Sequence, residues 1–529
     1  MSALGRLLRT KSLHTLSEEA NAASGLKRTL TALDLVALGI GAIVGAGIFL
    51  TVGTAAAGEG AVRPGAGPAI ILSFLLTGGV CALTALCYAE LAAMIPISGS
   101  AYTYAFATLG ELVAWIIGWD LLIEYAAGNV AVAISWSGYF QAFLDSAFGV
   151  HLPAWLVNGY RTATPEIASA APHLCGMPVL VNLPAVLIVL ALTWLLVIGV
   201  KESSRFNTLM VGVKLVILAF FVVLGIYFFD LGNWFPAGAP SNWEAFAPNG
   251  MRGIATGAAI VFFAYIGFDA VSTAGEEAKQ PKRDLPIGIL GSLAVCTIIY
   301  MVVAGVLTGM TSYTRLNNAE PLATALSEKG LGWASAIVAF GSVVAHTAVL
   351  LVFQLGQPRI FYSMARDGLL PPIFTKVHPK YGTPHLTTIA TGLLVAGLSA
   401  FFAIDEIVDL TNIGTLFAFV LVSAGVMILR VRDPSRERPF RTPAVWVVGP
   451  LAILSCLYLM YYLPGVTWVR FFVWLLIGLV FYLALVVWNA ELQAKGMPQK
   501  RARAITGTVA AVLSTAVAVG SVLLGLWKA

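Results

Sequence analysis

Gly39-Ile40-Gly41-Ala42-Ile43-Val44-Gly45-Ala46-Gly47-Ile48-Phe49 places four glycines inside an apolar run long enough to cross a membrane. A second such run is interrupted at Phe262-Phe263-Ala264-Tyr265-Ile266-Gly267-Phe268-Asp269. A helix in lipid must satisfy every backbone amide and carbonyl internally, so a break is tolerated only where the freed groups meet protein or a watery cavity. Two breaks near mid-membrane are the sequence signature of a small-solute site between discontinuous helices.

Working outward, the 529-residue chain is 59% hydrophobic and only 11% charged, against about 25% charged in soluble domains. It reads as an all-α membrane protein. Apolar runs at 31–56, 67–95, 109–145, 182–200, 205–229, 250–276, 285–310, 332–362, 385–403, 406–430, 444–463, 467–489 and 504–527 predict about thirteen spans. The net charge of +5 gathers in alternate loops, including Lys201, Arg205, Lys279, Lys282, Arg283, Arg430, Arg432, Arg436, Arg438 and Arg441. That asymmetry places the N-terminus in the cytoplasm and, with an odd number of spans, the C-terminus outside. Outside, only scattered charges such as Arg63 and Arg161 are expected. No basic stretch interleaved with aromatics suggests nucleic-acid binding, and no cysteine or histidine spacing suggests a metal. Residues 1–28 form a cytoplasmic segment in which Arg6–Leu16 read either as a surface helix or as a tail.

Spans one to five (29–230) and six to ten (250–430) each begin with a glycine-broken helix. Five is odd, so the second half inserts upside down relative to the first, giving an inverted repeat over 29–430. Residues 431–529 add three helices outside the repeat.

At the first break, the amides of an unwound helix suit a carboxylate, while close helix contact through Gly41 and Gly45 is the competing reading. Carbonyls freed near Phe263, Ala264 and Ile266 suit an ammonium, so the two breaks together suit a zwitterion such as an amino acid. Lys214, deep in span five, is costly in lipid and therefore functional by default. It is suited to loading a proton, to supplying the fixed charge that sodium supplies elsewhere, or to snorkelling toward an interface. Asp120 and Glu124 share one face of span three. Glu124 is a candidate for binding the substrate amine or exchanging protons with Lys214, and a buried hydrogen bond is the favoured reading for Asp120. His346, with Thr347 beside it, belongs either to the side-chain pocket or to an interhelical hydrogen bond. Asp269 reads as a cap on the restarting helix. Glu276, Glu277, Arg366 and Asp367 fall at the cytoplasmic boundary, where gating ion pairs and solvated charges look alike. No catalytic nucleophile–base set or nucleotide-binding domain is present, so an enzyme is not expected and an ion gradient is the available energy source.

The glycine motif Gly39–Phe49 resembles the first-helix motif of the amino acid–polyamine–organocation superfamily. Phe262-Phe-Ala-Tyr-Ile-Gly-Phe-Asp-Ala-Val-Ser-Thr-Ala-Gly-Glu-Glu277 and Arg359…Ala365-Arg-Asp-Gly-Leu-Leu-Pro371 resemble its cationic amino acid transporter branch, in the bacterial form. The resemblance implies a LeuT-like 5+5 inverted-repeat bundle and proton-coupled amino acid import by alternating access in the cell membrane. It implies no cofactor and no sodium. Ile43, Gly45, Ala46 and Gly47 would meet the substrate carboxylate, and Phe263, Ala264 and Ile266 the amine. Lys214 and Glu124 would handle protons, and His346 and Thr347 would lie by the side chain. A histidine there departs from the cationic members. The thirteenth span departs from the family's usual plans and would occupy the place of an accessory single-span subunit, with a monomer as the simpler arrangement. An exchanger on the same fold and a non-transporting amino acid sensor are the alternatives.

Overall fold

The computed structural model describes residues 9–11, 30–60, 63–95, 100–199, 204–236, 238, 241–275, 278–488 and 497–523. The expected surface helix at Arg6–Leu16, the residues Glu276 and Glu277 and the C-terminal residue Ala529 fall on or across residues outside that set. The side carrying the lysine- and arginine-rich loops is termed inner.

The first span is two helices, α1 (Ala32–Ile43) and α2 (Ala46–Ala57), bent by 48° at their junction. Thr31 and Asp34 start α1 with a reciprocal capping box, the hydroxyl accepting from the Asp34 amide and the carboxylate from the Thr31 amide. A two-residue hairpin, β1 (Gly58–Glu59) with β2 (Arg63–Pro64), turns the chain at the outer side. Then come α3 (Ile70–Met94), α4 (Ser100–Thr108), α5 (Glu111–Phe148), α6 (Leu183–Ile198), α7 (Ser204–Tyr227) and α8 (Gly250–Val261). Beyond the second break follow α9 (Pro281–Met310), the short outer α10 (Pro321–Glu328), α11 (Gly332–Arg366), α12 (His385–Phe401), α13 (Ile404–Arg432), α14 (Val445–Tyr461), α15 (Gly465–Phe481) and α16 (Gln499–Leu523).

Among the described residues, eight helices are long and apolar enough to cross a membrane, nine with the bent pair as one span, and four shorter apolar helices accompany them. Together they fall on the thirteen apolar runs of the sequence. Several, such as α6 and α7, expose apolar side chains on one side, where lipid would meet them, and bury them on the other. The exposed Trp194, Val216, Val223, Phe340 and Leu454 are lipid-facing positions of this kind.

The longest helices, α5 and α11, lie along each other, α3 packs on α9, and α6 packs on α12. α1 and α2 are held against α9 and the segments of the second break. α15 docks on α5 through tryptophans: Trp119 and Trp474 stack with centroids 4.6 Å apart, and each indole N–H donates to the other residue's backbone carbonyl. Offset stacking with both polar edges satisfied is how an aromatic pair joins helices without a buried orphan donor.

At the inner side, Glu90 of α3 ties several elements together. Its carboxylate accepts from Arg430 Nε at 2.8 Å and Nη2 at 2.7 Å, and from the Thr442 amide at 2.8 Å. Arg438 Nε lies 3.2 Å away, and its other nitrogens donate to the carbonyls of Leu429, Asp433 and Arg436. A buried carboxylate is supportable only with such complete compensation. The inner end of α13 and the loop after it are thereby fastened to α3.

Candidate functional site

α1 stops because its hydrogen-bond ladder ends at Val44, whose amide still donates to Ile40 O at 2.8 Å. Val44 (ψ 90°) and Gly45 (φ −139°, ψ −147°) are not helical, and α2 begins at Ala46. No side chain caps α2, so the first-turn amides, from Ala46 onward, face the break as the positive end of a helix. The glycines serve close approach. A Cβ on Gly47 would lie 2.2 Å from Ala264 Cα, so the two breaks meet backbone to backbone. A Cβ on Gly45 would lie 2.6 Å from Val349 Cγ2 of α11.

The second break begins where α8 tightens into a 3₁₀ turn at Phe262–Tyr265. Ile266 is extended and Gly267 adopts φ 116°, after which a 3₁₀ segment runs over Phe268–Ala274. Gly267 holds the cap position and Asp269 stands in the first turn, so the expected capping role of Asp269 passes to a residue without a side chain. Phe263, Ala264 and Ile266 are buried, as are Ile43, Gly45, Ala46 and Gly47.

The carbonyls released by the two breaks find specific donors. Gly41 O accepts from the ammonium of Lys214 at 2.9 Å. Ile43 O and Ala264 O both lie within reach of the Tyr300 hydroxyl of α9, at 2.7 and 2.9 Å, and share its proton. Asn412 of α13 donates to Ala259 O at 2.9 Å and Ile260 O at 3.3 Å. Tyr300 and Asn412 were not signalled by sequence: a tyrosine and an asparagine in apolar runs become meaningful only when packing brings them to a broken helix.

Lys214 is buried, with its head group turned to α1 rather than to an interface, so snorkelling is not its arrangement. Glu124 is buried on α5, and no ion pair among the described residues joins it to Lys214. Asp120, one turn nearer the inner side, does not make the expected hydrogen bond: among the described residues neither of its oxygens has a partner, nor has Glu124 Oε2. His346 is fully enclosed. Its Nδ1 lies 2.6 Å from Ser342 O, an atom that only accepts, so Nδ1 carries the proton and Nε2 accepts from Ser135 Oγ at 2.9 Å. Its ring packs against Phe49 and Tyr139. Thr347 accepts from Trp136 Nε1 at 3.0 Å and donates to Val343 O. The structure thus groups Ile43, Gly45, Ala46, Gly47, Phe263, Ala264, Ile266 and Lys214 around the two breaks. His346 and Thr347 serve an α5–α11 seam one turn away from Val349.

Both sides of the site have ion pairs. On the outer side, the Arg63 guanidinium of the hairpin forks onto Asp409 of α13, with Nη1 2.9 Å from Oδ2, and also meets Glu59 at 3.1 Å. A cavity of about 20 Å³ lined by Thr51, Thr54, Glu59, Arg63, Ile260 and Asp409 is the space left there. Arg63 is therefore a buried, paired residue rather than a scattered surface charge. On the inner side, Asp367 accepts from Lys11 Nζ at 3.0 Å and Tyr102 OH at 2.9 Å. The outer halves of both broken helices are buried almost throughout, whereas Gly41, Ala42, Gly267 and Asp269 on the inner side are part-exposed.

Comparison with known proteins gives a family model described as amino acid permease, which matches residues 30–486. The chain is 46% identical to the branched-chain amino acid permease BcaP of Bacillus subtilis, over 90% of this chain and 97% of the relative. It is 44% identical to the methylthioribose transporter of the same organism with the same coverage. It is 38% identical to the vacuolar cationic amino acid transporter 4 of Arabidopsis thaliana, over 82% of this chain and 68% of the relative. These relatives are named as transporters and permeases, not as enzymes.

Proposed function

We propose that this chain, which belongs to the amino acid permease family of the amino acid–polyamine–organocation superfamily and is a multi-pass membrane protein, imports amino acids together with protons across the cell membrane by alternating access. The observation that carries this reading is the facing pair of breaks, with opposite polarity presented on the two sides of one buried point. The α-carboxylate docks on the amides at Gly45, Ala46 and Gly47 beside Ile43. The α-ammonium docks on the carbonyl side at Phe263, Ala264 and Ile266. Main-chain groups fixed in place grip the part common to all amino acids and need no reorganisation on binding.

Lys214 supports proton coupling. Its ammonium donates to a carbonyl that the break leaves without a helical partner. A charged lysine holds α1 in its bent form, and loss of its proton would weaken its hold on that carbonyl, because a neutral amine donates a poorer hydrogen bond. This is the differential contact that lets a proton bias a two-state equilibrium. Sodium has no role in this scheme, and Glu124 serves as the neighbouring acidic group on the substrate path.

A neutral, branched side chain is the substrate class we favour. Val349 lies against the first break, and Phe353 one turn further packs on Tyr125 of α5, so the wall facing the side chain is apolar. The 46% identity to a branched-chain amino acid permease agrees with that wall. The inverted repeat of 29–230 and 250–430 is supported by the pairing of α3 with α9, α5 with α11 and α6 with α12. The cytoplasmic N-terminus is supported by the charge asymmetry of the loops.

The test is uptake of labelled leucine, isoleucine, valine and arginine into proteoliposomes with an imposed pH gradient. Accumulation of the branched-chain amino acids when the lumen is alkaline, without sodium, is expected. Uptake that requires sodium, or counterflow that proceeds equally without any net gradient-driven accumulation, overturns the proton-coupled reading.

A further inference from the structure

Two carboxyls stand one helical turn apart on α5 in the interior of the bundle, and the mechanism above uses only the outer one, Glu124. Asp120 is fully buried and Glu124 nearly so. Both oxygens of Asp120 and one of Glu124 lack any hydrogen-bond partner among the described residues. Helical spacing sets their Cβ atoms about 5–6 Å apart. The backbone of α13 closes over Asp120, since a Cβ built on Gly414 would lie 2.8 Å from its Oδ1. The charged or titratable groups near the pair are Asp269 after the second break, Tyr88 of α3 and Tyr125 of α5, all three close to Glu124, with Thr415 of α13 beside it. Asp409 of α13 lies further out, engaged by Arg63. Neither a lysine nor an arginine is hydrogen-bonded to either carboxyl among the described residues.

Two carboxylates in one apolar space without a cation are not sustainable, and a buried group in that position neutralises instead. Asp120 is the more deprived of the two, having no donor for either oxygen. We propose that Asp120 is the inner proton-releasing group of the transport cycle, receiving a proton by way of Glu124 and giving it to cytoplasmic water when α13 carries Gly414 away from its carboxyl. The inference rests on the proton-coupled reading. In the form described here, Asp120 carries the proton as a neutral carboxyl. When water reaches it, the O–H bond breaks, the proton passes to that water, and the carboxylate left behind is hydrated. Reprotonation through Glu124 from the outer side closes the cycle, and no proton is consumed. α5 runs from Glu111 on the inner side to Phe148 on the outer side, which orders the pair as this direction requires.

The test compares wild type with Asp120→Asn, which keeps the shape of the neutral carboxyl but carries no proton. In proteoliposomes, the limiting accumulation of leucine in Asp120→Asn should fall about tenfold for each unit of imposed pH gradient, the worth of one coupled proton. Counterflow exchange of leucine should persist. Equal accumulation by the two proteins overturns the proposal while leaving the proton-coupled reading intact. Wild type that shows no response to the gradient overturns that reading, and this proposal with it. If Asp120→Asn transports nothing, infrared spectroscopy of the two proteins in lipid decides. Loss of a protonated-carboxyl C=O band in the variant supports the proposal, and an unchanged band overturns it.

Discussion

Lys214 and Tyr300 do related work with different chemistry. Each donates to a carbonyl that the first break leaves without a helical partner, Gly41 O in one case and Ile43 O in the other. Lys214→Ala should lose gradient-driven accumulation while counterflow persists, measured with and without an imposed pH difference. Tyr300→Phe removes one hydroxyl shared by both breaks. A net hydrogen bond contributes about 1 kcal/mol, so substrate affinity should fall about fivefold, read as KM for uptake. An unchanged KM would show that Tyr300 is packing only. Gly47→Val puts branched carbon where Ala264 already stands, and should abolish transport in a protein that still runs as a folded species on size exclusion. Lys214 was legible in the sequence because a charge in an apolar run has few bland explanations. Tyr300 was not, because a tyrosine in such a run has many. Asp120 was misread as a hydrogen-bonded group, since sequence shows a neighbour's identity but not whether it reaches.

At the scale of elements, the runs of apolar sequence located the helices well, and the glycines located both breaks, because backbone satisfaction in lipid leaves few alternatives. What the pattern could not hold were the ties between distant elements. Arg63 and Asp409 are 346 residues apart, and only the fold makes them partners. Removing one member of a buried ion pair costs about 3–5 kcal/mol because the other is left uncompensated. Arg63→Met should therefore loosen the outer mouth. The check is labelling of a cysteine at Thr54, in the cavity beneath Arg63, by a membrane-impermeant thiol reagent, with the exposed Cys175 replaced by serine. Faster labelling in the Arg63→Met background is expected, and an equal rate would mean that the pair does not hold the outer side shut.

For the whole molecule, the proposed inverted repeat has only a faint trace in the residues, because the two halves would share a plan of helices and breaks rather than side chains. The packing agrees with it: α5 with α11 and α6 with α12 bring together elements five spans apart in the chain. The apolar face on α11 then bears on selectivity. A thermal-shift series on purified protein should show stabilisation by leucine, isoleucine and valine and none by arginine or lysine at equal concentration. Stabilisation by the cationic pair alone would reject the branched-chain reading.

The Glu90 cluster makes α13 a lever with its fulcrum at the inner face. Fastened at Arg430 by a fork onto α3, the rod swings most at its far tip and less at Gly414. Asp409 lies 21 positions from that fulcrum, about 30 Å along the axis. A lean of roughly ten degrees carries Asp409 about 5 Å sideways, enough to part it from Arg63 while the fork at Glu90 holds.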